Sequence, residues 1–183
     1  MMFHIQHASK EFKNIVCVSD DTDVMVLCMY VNARENFPAK IYLKRSFSRL
    51  IDVQKLNSAV GKDVANALVG LHAFTGCDTV SAFSGKGKVN PLKLASKNEI
   101  YISLFANIGT QLYLSEDTFS MVQQFTCDLY SRGTKIKNIN KLRYNMFRSK
   151  KGKLDSAQLP PCENTLRLHT QSKLSSFPLA SMS

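Results

Sequence analysis

Three aspartates, Asp20, Asp21 and Asp23, follow directly after a short apolar run at residues 15–18. Such a run is typical of a strand in a parallel sheet, and ligands of open α/β sheets bind outside the carboxyl ends of the strands. Carboxylates this close repel one another unless a cation lies between them, and Mg²⁺ or Mn²⁺ prefers oxygen ligands. The spacing therefore leaves two interpretations: a metal site centred on Asp21 and Asp23, or a helix N-cap followed by an acidic first turn.

A second acidic candidate, Asp78, ends an apolar segment and begins a glycine-rich loop. Taken alone it is compatible with a turn, where aspartate is common. The turn at residues 84–88 reads Ser-Gly-Lys-Gly-Lys, and its glycines would let backbone N–H groups approach a phosphate while Lys86 and Lys88 add positive charge. The spacing is not that of a P-loop, and a flexible basic turn is the alternative.

The most basic part of the chain is the segment 132–153, which has nine lysines or arginines and no acidic residue. Such a segment can neutralise several phosphates, and the formal net charge of +10 makes nucleic acid the natural partner class. Lys150 and Lys151 are candidate contacts to a nucleic-acid backbone. Tyr144 and Phe147 are interleaved with the cations, and we expect these aromatics to pack inside a helix whose basic face is solvated.

The elements that must position these residues follow from apolar periodicity. Residues 15–18 predict a strand buried on both faces, residues 39–45 alternate as a half-exposed strand, and residues 24–31 suit either strand or helix. Helices are expected weakly within residues 1–12, then at residues 53–60, 64–75, 92–97, 116–129 and 140–147 and within residues 100–112. This order predicts an α/β fold with a mostly helical second half. We expect Asp52 to cap the helix at residues 53–60 and Gly61 to end it. The buried face predicted for the helix at residues 116–129 consists of Phe119, Val122, Phe125 and Leu129.

Length and composition are those of a globular domain, with 183 residues, an apolar fraction of 44% and a charged fraction of 21%. We assign residues 1–151 to this domain and expect residues 152–183, a polar segment, to be a disordered tail. Five widely spaced cysteines without a C-x-x-C pair suggest neither a zinc site nor a disulfide framework and fit a reducing compartment. No apolar stretch suits a membrane span or a signal-peptide core, so we expect an intracellular protein of the nucleus or cytoplasm.

Residues 15–23, IVCVSDDTD, resemble the strand and acidic turn of flap endonucleases and related PIN-like nucleases. The S-[DE]-D-x-D motif of those enzymes supplies two metal-binding aspartates, which match Asp21 and Asp23 by position. Residues 67–88 resemble the helix, G-x-D turn and glycine-rich helix–turn–helix of the same enzymes, with Asp78 as the family aspartate. The resemblance thus implies three metal ligands and a backbone-binding turn at the Gly-Lys-Gly-Lys sequence.

A closer resemblance is to transposon-associated PIN-like proteins of invertebrates, which carry V-x-S-x-D-T-D-V, L-H-A-x-T-G-C-D-T and G-K-G-K in this order. Their later L-R-Y-x-x-F and Q-L-P-P match residues 142–147 and 158–161. The resemblance implies a PIN-like, 5′-nuclease-type parallel sheet with a mostly helical C-terminal half. It also implies phosphodiester hydrolysis with one or two Mg²⁺ or Mn²⁺ ions, which activate water and stabilise charge, while Lys86 and Lys88 hold substrate phosphate.

The chain departs from the family pattern before its first strand. The resembling enzymes place several acidic residues there, whereas the only acidic residue within residues 1–12 of this chain is Glu11. We therefore expect a truncated copy that lacks the N-terminal part of the fold and is inactive or impaired. An exposed sheet edge would then favour self-association. The alternatives are a non-catalytic module that binds DNA or RNA and a degenerate mobile-element remnant, and cleavage that depends on Asp21 would separate the enzyme from both.

Overall fold

The computed structural model describes residues 2–35, 37–46, 49–76, 83, 85–108, 113–149 and 158–176. The chain divides into two compact units, Met1–Val69 and Gly70–Ser183, and the boundary falls within a helix. None of the described helices is long and apolar enough to cross a membrane.

The first unit combines a small sheet with helices. Its elements are α1 (Met2–Ala8), β1 (Asn14–Val18), α2 (Thr22–Arg34), β2 (Lys40–Lys44), β3 (Ile51–Asp52), α3 (Val53–Val60) and the first part of α4 (Lys62–Thr75). Within the described residues the sheet has three strands in the order β1-β2-β3, with β1 parallel to β2 and β2 antiparallel to β3. The predicted α/β class is confirmed, and α2 is the crossover of a parallel β-α-β unit, although the described sheet is small and mixed.

One face of the sheet carries the core of the first unit. Ile15 pairs with Ile41 and Cys17 with Leu43, and the two β2 side chains of these pairs are fully buried. They pack against apolar side chains from α1, α2 and α3, namely Ile5, Cys28, Met29 and Val53. The alternation predicted for β2 is confirmed by its burial, because its inward residues are buried and its terminal lysines are exposed.

The expectation that β1 is buried on both faces is wrong. Val16 is 51% exposed and Val18 is 78% exposed, while the alternate residues of β1 are half-buried. The reason is that β1 is an edge strand of the described sheet, and the helices pack against only one of its faces. The apolar run therefore predicts a strand of a parallel sheet, but it does not show which faces of that strand other elements cover. Self-association through this edge stays a prediction.

The start and end of α3 follow from local chemistry, as the sequence predicts. Oδ1 of Asp52 accepts a hydrogen bond from the backbone N–H of Lys55 at 3.0 Å, which makes Asp52 the N-cap. Gly61 ends the helix with φ of 90°, a conformation that residues with a Cβ rarely adopt. These two residues separate α3 from α4.

The second unit is helical in its described part. After the end of α4 it contains α5 (Val89–Ala95), α6 (Glu99–Asn107), α7 (Glu116–Tyr130), α8 (Ile139–Ser149) and α9 (Glu163–Ser176). Helix α7 buries the predicted face of Phe119, Val122, Phe125 and Leu129. The Phe74 ring of α4 lies 5.4 Å from the Phe105 ring and 6.0 Å from the Phe125 ring between centroids, so aromatic contacts join α4, α6 and α7.

At Gly70 the backbones of α4 and α6 nearly touch. A Cβ placed on Gly70 would lie 2.1 Å from the carbonyl oxygen of Phe105 and 2.4 Å from Cγ2 of Ile108. Both distances are far inside van der Waals contact, so this crossing accepts only glycine. In the sequence Gly70 is merely an unfavourable helix residue, and the structure supplies the reason for its presence.

The expectation of a disordered tail over residues 152–183 is wrong for Glu163–Ser176, which forms α9. Leu166 and Thr170 of α9 are fully buried. Arg167 donates to both carboxylate oxygens of Glu116, at 2.7 and 2.9 Å, and its guanidinium carbon lies 3.9 Å from the centre of the Phe119 ring. The buried stripe of α9 contains a threonine as well as leucines, which weakened its apolar periodicity in the sequence. Residues 152–157 and 177–183 of the predicted tail lie outside the described residues.

We expect Leu166→Ala to lower the free energy of unfolding by about 2–5 kcal/mol, because the side chain is fully buried and its loss leaves a cavity. Leu168→Ala is the matched control, since Leu168 is 68% exposed on the same helix and should change stability by less than about 0.5 kcal/mol. Urea titrations of both variants measure the difference. Equal stability of the two variants would show that α9 is not packed on its unit.

Candidate functional site

The acidic loop begins where β1 ends. The backbone N–H of Ser19 donates to the carbonyl oxygen of Lys44 at 3.0 Å, which continues the pairing of β1 with β2 by one residue. The N–H of Asp21 then donates to Oγ of Ser19 at 3.1 Å as the chain turns into α2. The acids therefore lie at the carboxyl end of a parallel strand, as the sequence predicts.

Asp21 is the N-cap of α2. Its Oδ1 accepts a hydrogen bond from the N–H of Asp23 at 2.9 Å, and its backbone is extended. This bond satisfies one of the N–H groups that a helix start leaves without an intrahelical partner. Asp23 is in the first turn, where the helix dipole favours a carboxylate. Of the two interpretations of this loop, capping is realised at Asp21.

Asp20 has a role that sequence reasoning missed. Its Oδ1 accepts from the backbone N–H of Ser46 at 2.8 Å, and its Oδ2 accepts from the Ser46 hydroxyl. The Arg45 guanidinium donates to the Asp20 carbonyl oxygen at 2.7 Å. The hydrogen bonds from Ser46 hold the pKa of the Asp20 carboxyl below its usual value. Asp20 thus ties the acidic loop to the residues after β2.

A divalent cation would find few ligands in the described part of this loop. Both carboxylate oxygens of Asp20 accept hydrogen bonds from Ser46 and Oδ1 of Asp21 caps α2, so three of the four carboxylate oxygens of these two residues already have a partner. Within the described residues no three His, Cys, Asp or Glu side chains are grouped to hold a metal ion. Asp78, the third predicted ligand, lies outside the described residues and stays a prediction.

The glycine-rich turn places its two lysines against aromatic rings. Gly85 and Gly87 have φ of 69° and 54°, so the turn needs glycine at both positions. Nζ of Lys86 lies 4.1 Å from the centre of the Tyr130 ring, and burial lowers the pKa of its ammonium group. Nζ of Lys88 lies 3.0 Å from Nδ1 of His72. Both ammonium groups hold the turn to its own unit, and their predicted contact with substrate phosphate stays a prediction.

The basic segment forms a surface that we call the α8 surface, residues 132–149. Its cations are Arg132, Lys135, Lys137, Lys141, Arg143 and Arg148, and all but Arg143 are exposed. Ile139 and Leu142 are buried on the other side of α8. Lys150 and Lys151 are also predicted contacts to a nucleic-acid backbone, and they lie outside the described residues. The predicted helix with a solvated basic face is confirmed.

The aromatic residues of this surface are not packed inside, so that expectation is wrong. Tyr144 is 59% exposed and Phe147 is 48% exposed. The reason is geometric: both lie on the side of α8 opposite Leu142, which already fills the contact with the rest of the unit. The surface therefore combines positive charge with two accessible rings.

Three hydrogen bonds hold α8 in place. The N–H of Ile139 donates to Oε1 of Gln123 at 2.7 Å, so a side chain of α7 satisfies the start of α8. The N–H of Glu163 donates to Oδ1 of Asn140 at 3.0 Å, and the Arg143 guanidinium donates to the carbonyl oxygen of Pro160. The last bond joins the L-R-Y-x-x-F and Q-L-P-P segments, which the sequence shows only as separate motifs.

Two features of the described residues can carry chemistry. The acidic loop of the first unit presents carboxylate oxygens that suit a cation. The α8 surface of the second unit presents cations and aromatic rings that suit a polyanion. No protein-family model, curated protein or solved structure matches this chain.

Proposed function

We propose that this chain is a nucleic-acid-binding protein and that the α8 surface is its main contact. The observation that carries the proposal is the exposure of five cations on this surface, in a segment of sequence that contains no acidic residue. Each cation that meets a phosphate releases a condensed counterion, which is the main source of affinity in sequence-independent binding. The rest of the chain adds to the attraction, since its formal net charge is +10.

The anchoring of α8 supports this role. Its start is bonded to Gln123 and its middle to Pro160, so Lys141 and Arg148 project from a fixed helix, and the other three exposed cations lie in the segment that leads into it. A fixed arrangement loses less conformational entropy on binding than a disordered basic tail would. Lysine and arginine contacts to phosphates read no sequence, so DNA or RNA of any sequence should bind.

The test is a titration of a labelled oligonucleotide followed by fluorescence anisotropy, at about 50 mM and about 200 mM salt. We expect the affinity to fall by roughly 10²-fold or more over this range, because several phosphate contacts act together. Changing the sequence of the oligonucleotide should have little effect. A salt-independent affinity, or no binding at the lower salt, would overturn the proposal.

The second candidate function is metal-dependent phosphodiester hydrolysis, favoured by the position of Asp21 and Asp23 at the carboxyl end of β1. In this proposal β1, α2 and β2 are the parallel unit of a PIN-like nuclease sheet of the transposon-associated kind that the sequence resembles. A bound Mg²⁺ or Mn²⁺ would supply an activated water and charge stabilisation. Asp21 and Asp23 would hold the ion, together with Asp78 as the resemblance implies.

We expect hydrolysis by this chain to be absent or slow, because the described residues group no three potential metal ligands and Mg²⁺ gives up its waters reluctantly. The measurement is cleavage of single-stranded, duplex and flap DNA with Mg²⁺ or Mn²⁺. Any activity should disappear in Asp23→Asn and survive in Asp63→Asn, a first-turn acid of α4. Cleavage that persists in Asp21→Asn and Asp23→Asn alike would remove the acidic loop from the reaction.

A further inference from the structure

The exposed side of α8 carries two aromatic rings with a cation on either side of the pair. Phe147 follows Tyr144 by three residues, which places the two rings on one side of the helix and about 4.5 Å apart along its axis. Lys141 precedes Tyr144 by three residues and Arg148 follows it by four, so both cations share that side. Within the described part of the chain, neither ring stacks on another aromatic ring.

Two half-exposed rings among cations suit a ligand with both apolar and anionic parts. The rings of Tyr144 and Phe147 are not buried by their own unit, whereas Leu142 of the same helix is only 3% exposed. A nucleic-acid base offers a flat apolar face for stacking, and its phosphate offers the negative charge. In a duplex these faces are already stacked inside the helix, so only an unpaired base can reach the rings.

We propose that α8 binds single-stranded DNA or RNA in preference to duplex, with bases stacked on Tyr144 and Phe147 and the neighbouring phosphates held by Lys141 and Arg148. This inference rests on the proposed function and specifies its substrate class. Glu163 lies beside Asn140 at the other end of the same side of α8. Its carboxylate repels phosphate beside Asn140, so the strand should run from Lys141 toward Arg148.

The experiment compares the full chain and its variants for binding to an oligonucleotide of about 12 nucleotides, single-stranded or paired with its complement, at one salt concentration. Tyr144→Ala and Phe147→Ala should each lower the affinity for the single strand by about 5- to 100-fold. The affinity for the duplex should stay within about twofold, because phosphate contacts alone hold it.

Two control variants separate stacking from other effects. Tyr144→Phe keeps the ring and should keep the single-strand affinity. Tyr113→Ala removes an aromatic residue that is 72% exposed elsewhere in the unit and should change nothing. All four substitutions lie at exposed positions, and circular dichroism checks that each variant folds.

The outcomes distinguish this inference from the proposed function. Salt-dependent binding with equal affinity for single strand and duplex, unchanged in Tyr144→Ala and Phe147→Ala, would overturn the stacking model and leave nucleic-acid binding intact. No binding of either form at low salt would remove the proposed function and this inference with it. Single-strand preference lost in both alanine variants and retained in Tyr144→Phe is the result that the geometry predicts.

Discussion

Reversing the charge of Lys137, Lys141 and Arg148 together to glutamate should lower the affinity for nucleic acid by at least about 100-fold at low salt. All three side chains are exposed on the α8 surface. The variant loses three phosphate contacts and gains three carboxylates that repel the phosphate backbone, and both changes lower the affinity. Fluorescence anisotropy with a labelled single strand measures the change.

The matched control reverses three exposed lysines on other helices, Lys55, Lys62 and Lys93. Each reversal removes two unit charges, so both triple variants take the formal net charge from +10 to +4. If only the overall charge mattered, the two variants would lose affinity equally. We expect the control to lose less than about tenfold, because screening weakens charges that do not touch the ligand. Equal losses of affinity in the two triple variants would show that the α8 surface contributes no more to binding than basic residues elsewhere.

Gly70→Ala should destabilise the second unit although alanine is the better helix former. The new Cβ would meet the backbone carbonyl of Phe105 at 2.1 Å, and a backbone atom cannot rotate away as a side chain can. Helices α4 and α6 must therefore separate, at a cost of about 1–3 kcal/mol or more for overpacking, against a gain of about 1 kcal/mol in helix propensity. After the gain in helix propensity is subtracted, the net loss at the upper end of this range is about 2 kcal/mol, which corresponds to a fall in the melting temperature of several degrees.

The control for Gly70 is Gly133→Ala. Gly133 has φ of 68° and open space around its Cβ position, so alanine there meets backbone strain but no neighbouring atom. We expect a smaller loss of stability, about 1 kcal/mol. Differential scanning calorimetry compares the two variants. An unchanged or raised melting temperature in Gly70→Ala would show that the gain in helix propensity outweighs the contact with Phe105 and that α4 and α6 separate at little cost.

Features that depend on near neighbours in the sequence could be predicted. Asp52 as a cap for α3 and the buried stripe of α7 each depend on residues within a few turns of one helix. The strand β1 and its acidic loop were found for the same reason, because a short apolar run and a cluster of aspartates are local signals. The capping role of Asp21 is one of two local interpretations, and the structure shows this cap, while the metal site stays a prediction.

Features that depend on distant residues could not be predicted. The bonds from Ser46 to Asp20 join residues 26 apart, and nothing near either residue in the sequence indicates them. The contact of Gly70 with Phe105 likewise depends on how two helices cross. The predictions that β1 is buried on both faces and that Phe147 packs inside are wrong, because apolar character alone does not show which faces other elements cover.

The most direct test of nucleic-acid binding by α8 is photocrosslinking to a single strand that carries thiothymidine, followed by trypsin digestion and mass spectrometry. Trypsin cuts after Arg143 and Arg148, so both rings leave in one peptide of residues 144–148. We predict that this peptide carries the main nucleotide adduct and that the adduct disappears when Tyr144 and Phe147 are both changed to alanine. Adducts confined to other peptides, such as residues 14–34 with the acidic loop, would contradict it.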